Sequence, residues 1–343
     1  MKNILGIDRD EFCRWLGAHS FESYRADQIL QWVYRRGVSD YALMSNLPER
    51  LKELLSQNFL LRSGSVQETA HSEDGAIKLL LRWQDGALTE TVLMEAGVRR
   101  TVCVSTQVGC PVRCAFCASG LDGLQRSLNA GEIVEQVLRA QEQLQEGERI
   151  SNVVVMGMGE PLANYDETLK AVKIINADWG PAIGARRITI STIGLPGRIR
   201  RLADEPLQVT LAVSLHAGDD ELRGKLIPWA KKIKLNEIFA AIDYYYQQTH
   251  REITLEYVML DGVNCGNIHA DKLARWAKRS RCNVNLINYN TVVETGFKNA
   301  TKKTITAFMQ RLKDNGVNVH LRRSQGGGIN AACGQLRRKK LEN

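Results

Sequence analysis

From residue 99 to 323 two kinds of segment alternate, and no other feature constrains the fold as strongly. Short β-branched runs occur at "TVCVSTQ", "ISNVVVMGMG", "RRITISTIG", "QVTLAVSLHA", "EITLEYVML", "CNVNLINYN" and "VNVHLRR". Between most of them lie stretches with apolar residues at helical spacing, such as "NAGEIVEQVLRAQEQLQ", "NYDETLKAVKIINA", "HADKLARWAKRS" and "TKKTITAFMQRLKDNG". Strands joined through helices run parallel and bury both faces under those helices. The pattern therefore predicts an α/β fold, a full or partial (β/α) barrel. Ligands of such barrels sit at the C-terminal strand ends, which is where this chain places its small and polar residues.

The first 98 residues read differently. Residues 1–60 carry helical periodicity in "DEFCRWLGA", "YRADQILQWVYRRG" and "LPERLKELLSQNF". Residues 65–98 switch to strand character, with the turn "QDGA" between "AIKLLLRW" and "LTETVLMEA". We expect a small α+β accessory domain over 1–98, the barrel over 99–323, and a glycine-rich then basic loop over 324–343. No apolar run approaches the ~18–20 residues of a membrane span, and acidic residues follow Met1 too soon for a secretory signal. A reducing cytoplasm is the expected location, with no membrane partner. The net charge of +8 is concentrated in "RRI", "GRIRR", "WAKKIK", "LRR" and "LRRKK". Spread over several loops, that balance suits a polyanion, or else a merely solvated surface.

In a reducing compartment clustered cysteines point to a metal or to catalysis rather than to disulfides. Of the eight cysteines, Cys110, Cys114 and Cys117 stand in a C-x3-C-x2-C loop directly after a strand. A structural zinc would need a fourth ligand, and no nearby histidine or second C-x2-C provides one. Iron–sulfur clusters are also held by thiolates, usually one per iron; three protein thiolates on a four-iron cluster leave one iron open to substrate. The spacing, with Phe116 before the last cysteine, resembles the pattern of the radical S-adenosylmethionine (SAM) superfamily. "MGMGEP", "ISTIG" and "SLHA" end successive strands with glycines, small hydroxyls, Glu160 and His216. Each is weak alone; together they describe a cofactor cradle.

On "CVSTQVGCPVRCAFCASG", "MGMGEPLANY", "ISTIG", "SLHA", "VNLINYN" and "AACGQL", in this order, the chain resembles the radical-SAM adenine-C2 RNA methyltransferases (the RlmN family). Their C8-methylating relatives, the Cfr enzymes, are similar. The resemblance extends over nearly the whole chain. It implies a [4Fe-4S] cluster on Cys110, Cys114 and Cys117, and SAM held by Gly159, Glu160, Ser191, Ser214, Leu215, His216 and Asn290. Cys333 matches a cysteine that is first methylated, then loses hydrogen to a deoxyadenosyl radical and adds to the adenine ring. Cys103 matches the cysteine that releases the product by forming a disulfide with Cys333, and Glu90 matches a proton acceptor. The implied substrate is adenosine 2503 of 23S rRNA, before full ribosome assembly, with tRNA adenosine 37 as a second. An external electron donor such as flavodoxin and a monomeric enzyme complete the expectation.

The chemistry has a physical rationale. An aromatic C–H at adenine C2 or C8 is not nucleophilic, so polar methyl transfer fails and a radical route leaves a covalent protein–RNA bond. A positioned thiolate is the group to break it. C8 methylation of the same adenosine and a non-catalytic, zinc-bearing RNA-binding protein are the alternatives at this point. Gly328 replaces the aspartate usual before "INAAC", "VNLINYNT" lacks the family's prolines, and Ser127 replaces a common asparagine. Pro161 in "GEPLAN" favours the C2 enzymes. Cys13, Cys265 and Cys282 read as apolar fillers, the tyrosines of "DYYYQQ" as a packed helix face, and Arg337, Arg338, Lys339 and Lys340 as potential phosphate contacts.

Overall fold

A computed structural model describes residues 1–322, 325–332 and 334–336. Three helices lead the chain: α1 (Arg9–Ala18), α2 (Tyr24–Tyr34) and α3 (Glu49–Asn58). Asp8 starts α1 by accepting from the Glu11 N–H, satisfying one of the free donors of the first turn. Phe12, Leu16, Ile29, Leu30, Val33, Leu51 and Leu55 bury one face of each helix.

Ten strands form one sheet: β1 (Gly64–His71), β2 (Ile77–Trp83), β3 (Leu88–Ala96), β4 (Arg99–Cys103), β5 (Asn152–Val155), β6 (Ile188–Thr192), β7 (Thr210–Ser214), β8 (Thr254–Met259), β9 (Asn283–Asn288) and β10 (Val319–Arg322). Their spatial order is their chain order. β1 to β4 form an antiparallel meander, and β4 to β10 run parallel, each beside its predecessor. Helices α4 (Ala130–Gln141), α5 (Tyr165–Asn176), α6 (Pro196–Ala203), α7 (Asp220–Leu226), α8 (Leu235–Thr249), α9 (Asn267–Arg279) and α10 (Lys302–Asp314) make the crossovers. No pairing joins β1 to β10 among the described residues, so the barrel is partial. Among the same residues no helix is long and apolar enough to cross a membrane.

Two expectations change. "GRIRR" is not loop: it lies in α6, opened by Pro196 at its first turn, with Ile199, Leu202 and Ala203 buried beneath the arginines. The boundary after residue 98 falls in the turn between β3 and β4, which pair Val92 with Cys103. The strands of 64–96 thus extend the barrel sheet instead of belonging to the helices before them. β1 escaped the sequence reading because "GSVQETAH" is an edge strand that is largely solvent-facing.

The helical region is tied to the barrel through Glu135 on α4. Its buried carboxylate accepts from Ser63 N–H (2.7 Å), Ser63 Oγ (2.8 Å), Gly64 N–H (3.1 Å) and Asn3 Nδ2 (3.3 Å). Arg139, one turn later, pairs with it at 3.3 Å. A buried carboxylate persists only when its oxygens are filled in this way.

Candidate active site

The three-cysteine loop is pinned at its base and along its length. Gln107–Gly109 pairs antiparallel with Leu124–Ser127. Gly109 sits at φ +77°, where a Cβ would strike the Gly123 carbonyl, so only glycine closes this neck. Further along, Ala115 N–H donates to Leu226 O at the end of α7 (2.9 Å), and the Tyr289 hydroxyl past β9 donates to Phe116 O (3.1 Å). Ala118 N–H donates to Gly334 O (2.8 Å).

Cys110 is buried and Cys114 and Cys117 are half-buried. Burial pushes the Cys110 thiol up to about 12 and Cys114 well above its ordinary value, with mutual repulsion adding to both. Among the described residues no group of His, Cys, Asp and Glu is drawn together to hold a metal ion as it stands. The three cysteines instead line one open-mouthed cavity enclosing about 910 Å³ of non-atom space, its mouth included. The other walls come from the C-terminal ends of β5 to β10, the barrel end where (β/α) folds place their chemistry.

Gly159, Glu160, Ser191, Ser214 and His216 all line this cavity. Gly159 has φ +106°, and a Cβ there would stand 2.7 Å from the Gln107 side chain. Glu160 is buried; it accepts from Ile193 N–H (2.9 Å) and Leu162 N–H (3.0 Å). Burial raises its carboxyl to about 7 against the pull of those hydrogen bonds. Ser191 and Ser214 face each other across adjacent strands, their hydroxyls 3.3 Å apart. His216 adopts φ +60°, and its Nδ1 accepts from Val258 N–H at 3.1 Å. Because a backbone N–H can only donate, the ring proton resides on Nε2. Burial, then the nearby Arg223 cation, lowers this imidazole to about 3, so the ring is neutral. Phe116 meets it edge-on, with centroids 4.9 Å apart.

The remaining expected residues stand elsewhere. The Leu215 side chain is wholly in the core and its N–H donates to Glu256 O (3.0 Å), so any ligand contact it makes is through its backbone. Asn290 is half-buried beside the cavity-lining Tyr289 and does not itself line the cavity. Glu90 is buried on β3, off the cavity wall, with its carboxylate 2.8 Å from Lys78 Nζ. Cys103 ends β4 in a small buried cluster with Val92, Val154, Met158, Ala331 and Leu336. Cys333 lies outside the described residues, as do Arg337, Arg338, Lys339 and Lys340. The chain around Cys333 is placed nonetheless: Ser119 Oγ donates to Leu336 O (2.6 Å), and Asp74 accepts from Gly326 N–H (2.8 Å).

Two buried charges were missed. Glu256 on β8 lines the cavity, with one oxygen taking Asn285 Nδ2 (3.0 Å). Its other oxygen has no hydrogen-bond donor among the described residues and lies 3.9 Å from Arg322. Arg223 on α7 is 1% exposed beside Cys114. A lone acid in "TLEYVM" was the available signal for Glu256; "DELRGKL" reads as any exposed helix.

Buried thiols, a glycine approach, a buried acid and an orphaned carboxylate oxygen suit a thiolate-bound metal cluster with a ligand carrying ammonium and hydroxyl donors. Residues 104–274 match the model of the Radical SAM superfamily, and residues 2–61 match that of the ribosomal RNA large subunit methyltransferase N-terminal domain. A protein of Clostridium perfringens (strain SM101), named "Probable dual-specificity RNA methyltransferase RlmN", is 46% identical over 100% of this chain and 99% of its own. A protein of the same name from Geobacillus thermodenitrificans is 45% identical over 99% of this chain and 94% of its own. The chain belongs to the RlmN family. A crystal structure of a radical SAM methyltransferase from Sphaerobacter thermophilus superposes with a TM-score of 0.96, at 43% identity over 99% of this chain and 100% of that one. As a member of the RlmN family the protein is a radical-SAM, SAM-dependent RNA methyltransferase, and its cofactors are a [4Fe-4S] cluster and SAM.

Proposed function

We propose that this enzyme methylates C2 of adenosine, at adenosine 2503 of 23S rRNA and at adenosine 37 of tRNA, in the cytoplasm and as a monomer. The relatives' printed name, dual-specificity, supports two RNA substrates. Residues 1–98 contact RNA, the helices before the sheet together with its antiparallel extension; the parallel strands within 99–323 carry the catalytic site, and 324–343 carry the methyl-accepting cysteine. Cys110, Cys114 and Cys117 hold the cluster, served by an external donor of the flavodoxin type. Gly159, Glu160, Ser191, Ser214, Leu215 through its backbone, His216 and Asn290 hold SAM. When bound, cluster and SAM supply the radical chemistry that an aromatic C–H demands.

Cys333 carries the methyl group and Glu90 accepts the ring proton. For release, the Cys103 thiolate attacks the sulfur of Cys333 and a disulfide forms. The carbon–sulfur bond breaks, and its electron pair leaves with the carbon, which takes a proton to become the methyl group.

One observation carries this reading: Ala331 and Leu336, on either side of Cys333, share a buried cluster with Cys103. Gly334, the next residue, lines the cavity of the three cysteines. Mass spectrometry of rRNA and tRNA fragments from cells with and without the gene tests it. A C2 methyl that disappears with the gene supports it, and a C8 methyl replaces it with the Cfr-type reaction. Cys333 found unmethylated in every cluster-loaded preparation would end the proposed mechanism.

A further inference from the structure

Arg223 is among the largest wholly buried side chains. One nitrogen, Nη2, donates to the Ile193 carbonyl, directly after β6. Its Nε and Nη1 are buried without an acceptor among the described residues. The groups that favour its charge are Cys114 and Asp220, and an oxygen of Asp220 already takes the Leu235 N–H (2.8 Å). A guanidinium so placed is costly unless its charge and donors are answered. A neutral Cys114 thiol answers neither. A cluster ligated by three thiolates answers both, because it brings net negative charge and acceptor sulfurs into the cavity that Ile193, the guanidinium's carbonyl partner, helps to line.

We propose that Arg223 is a positioning residue for the cluster: its guanidinium supplies countercharge and N–H donors at the Cys114 side and raises the potential at which the cluster accepts its electron. This rests on the cluster reading above. Hydrogen bonds to the sulfurs and local charge are the levers by which a protein sets such a potential. A positive neighbour favours the more negative, reduced state, so removing it makes reduction harder.

The test uses the full chain, reconstituted anaerobically, with EPR-monitored redox titration of wild type, Arg223→Gln and Arg223→Lys. Gln keeps a donor for the Ile193 carbonyl but no charge; Lys keeps the charge but not the fork. The midpoint should move to a more negative potential in Gln and stay close to wild type in Lys. A folded Gln variant that has lost its cluster also supports the assignment. Should Gln unfold the protein, Arg223→Met gives the same readout with a neutral, packing side chain. An unchanged midpoint at equal iron content in the neutral variant overturns the proposal. A purely structural role would instead weaken SAM binding while leaving the potential alone, and that result also overturns it. Absence of iron and sulfide from reconstituted wild type would remove the cluster reading itself.

Discussion

The Ser119 hydroxyl, just past the last cysteine of the three-cysteine loop, donates to the Leu336 carbonyl at 2.6 Å across 217 residues of chain. This bond and Ala118 N–H to Gly334 O fasten the C-terminal segment to the cysteine loop. Ser119→Ala removes one buried hydrogen bond, worth about 1 kcal/mol, and so raises the undocked population of the segment about fivefold. Hydrogen exchange over 325–336 should quicken accordingly, with little change in global unfolding. Unaltered exchange there would show that the tail is held by other contacts.

Replacing Cys103 by Ala should cost about 1 kcal/mol of stability, the ordinary range for a small buried change. Its functional effect is expected to be much larger, because release of the RNA would stop after the covalent step. A denaturing gel should show RNA retained on the variant and none on wild type. Normal multiple turnover by the variant would remove the resolving role.

Glu160 has a carboxyl raised from 4.5 to about 7 by burial. Between those values the folded chain keeps a proton that the unfolded chain has released. Stability of the metal-free protein therefore falls as pH rises through that window, by up to about 3 kcal/mol, and levels off above it. Urea unfolding of wild type and Glu160→Gln at matched pH isolates this contribution, since only wild type should show it.

His216 presents the opposite sign. Its ring is lowered from 6.5 to about 3, so the unfolded chain binds the extra proton in that window and stability rises with pH across it. Nitrogen-15 NMR should find a neutral ring protonated on Nε2 from about pH 5 to 8. A titration of the folded ring inside that range would contradict the burial argument.

The parallel sheet was legible because its strands are apolar runs and its longer helices carry an unbroken 3.6-residue period. β1 was not, since an edge strand facing water has no apolar alternation to read. α6 was hidden because its eight residues open on Pro196 and carry three arginines, and so resemble a basic loop. The loop cysteines, Glu160 and His216 could be placed at strand ends from local spacing alone. Leu215 could not, because its neighbours face the cavity while its own side chain alternates into the core. Arg223 and Glu256 were missed for one reason: the burial of a charge depends on distant segments packing over it, and local pattern carries no trace of that.

Glu135 has a consequence beyond holding two regions together. With Ser63, Gly64 and Asn3 all gripping one carboxylate, and the Cβ position of Gly6 within 2.9 Å of the Gly131 backbone, the leading helices have no hinge at this seam. Whatever those helices grasp is presented to the cavity at a set span, as by a caliper. If the RNA contact proposed for those helices holds, the nucleic acid rather than the protein has to adapt to that span.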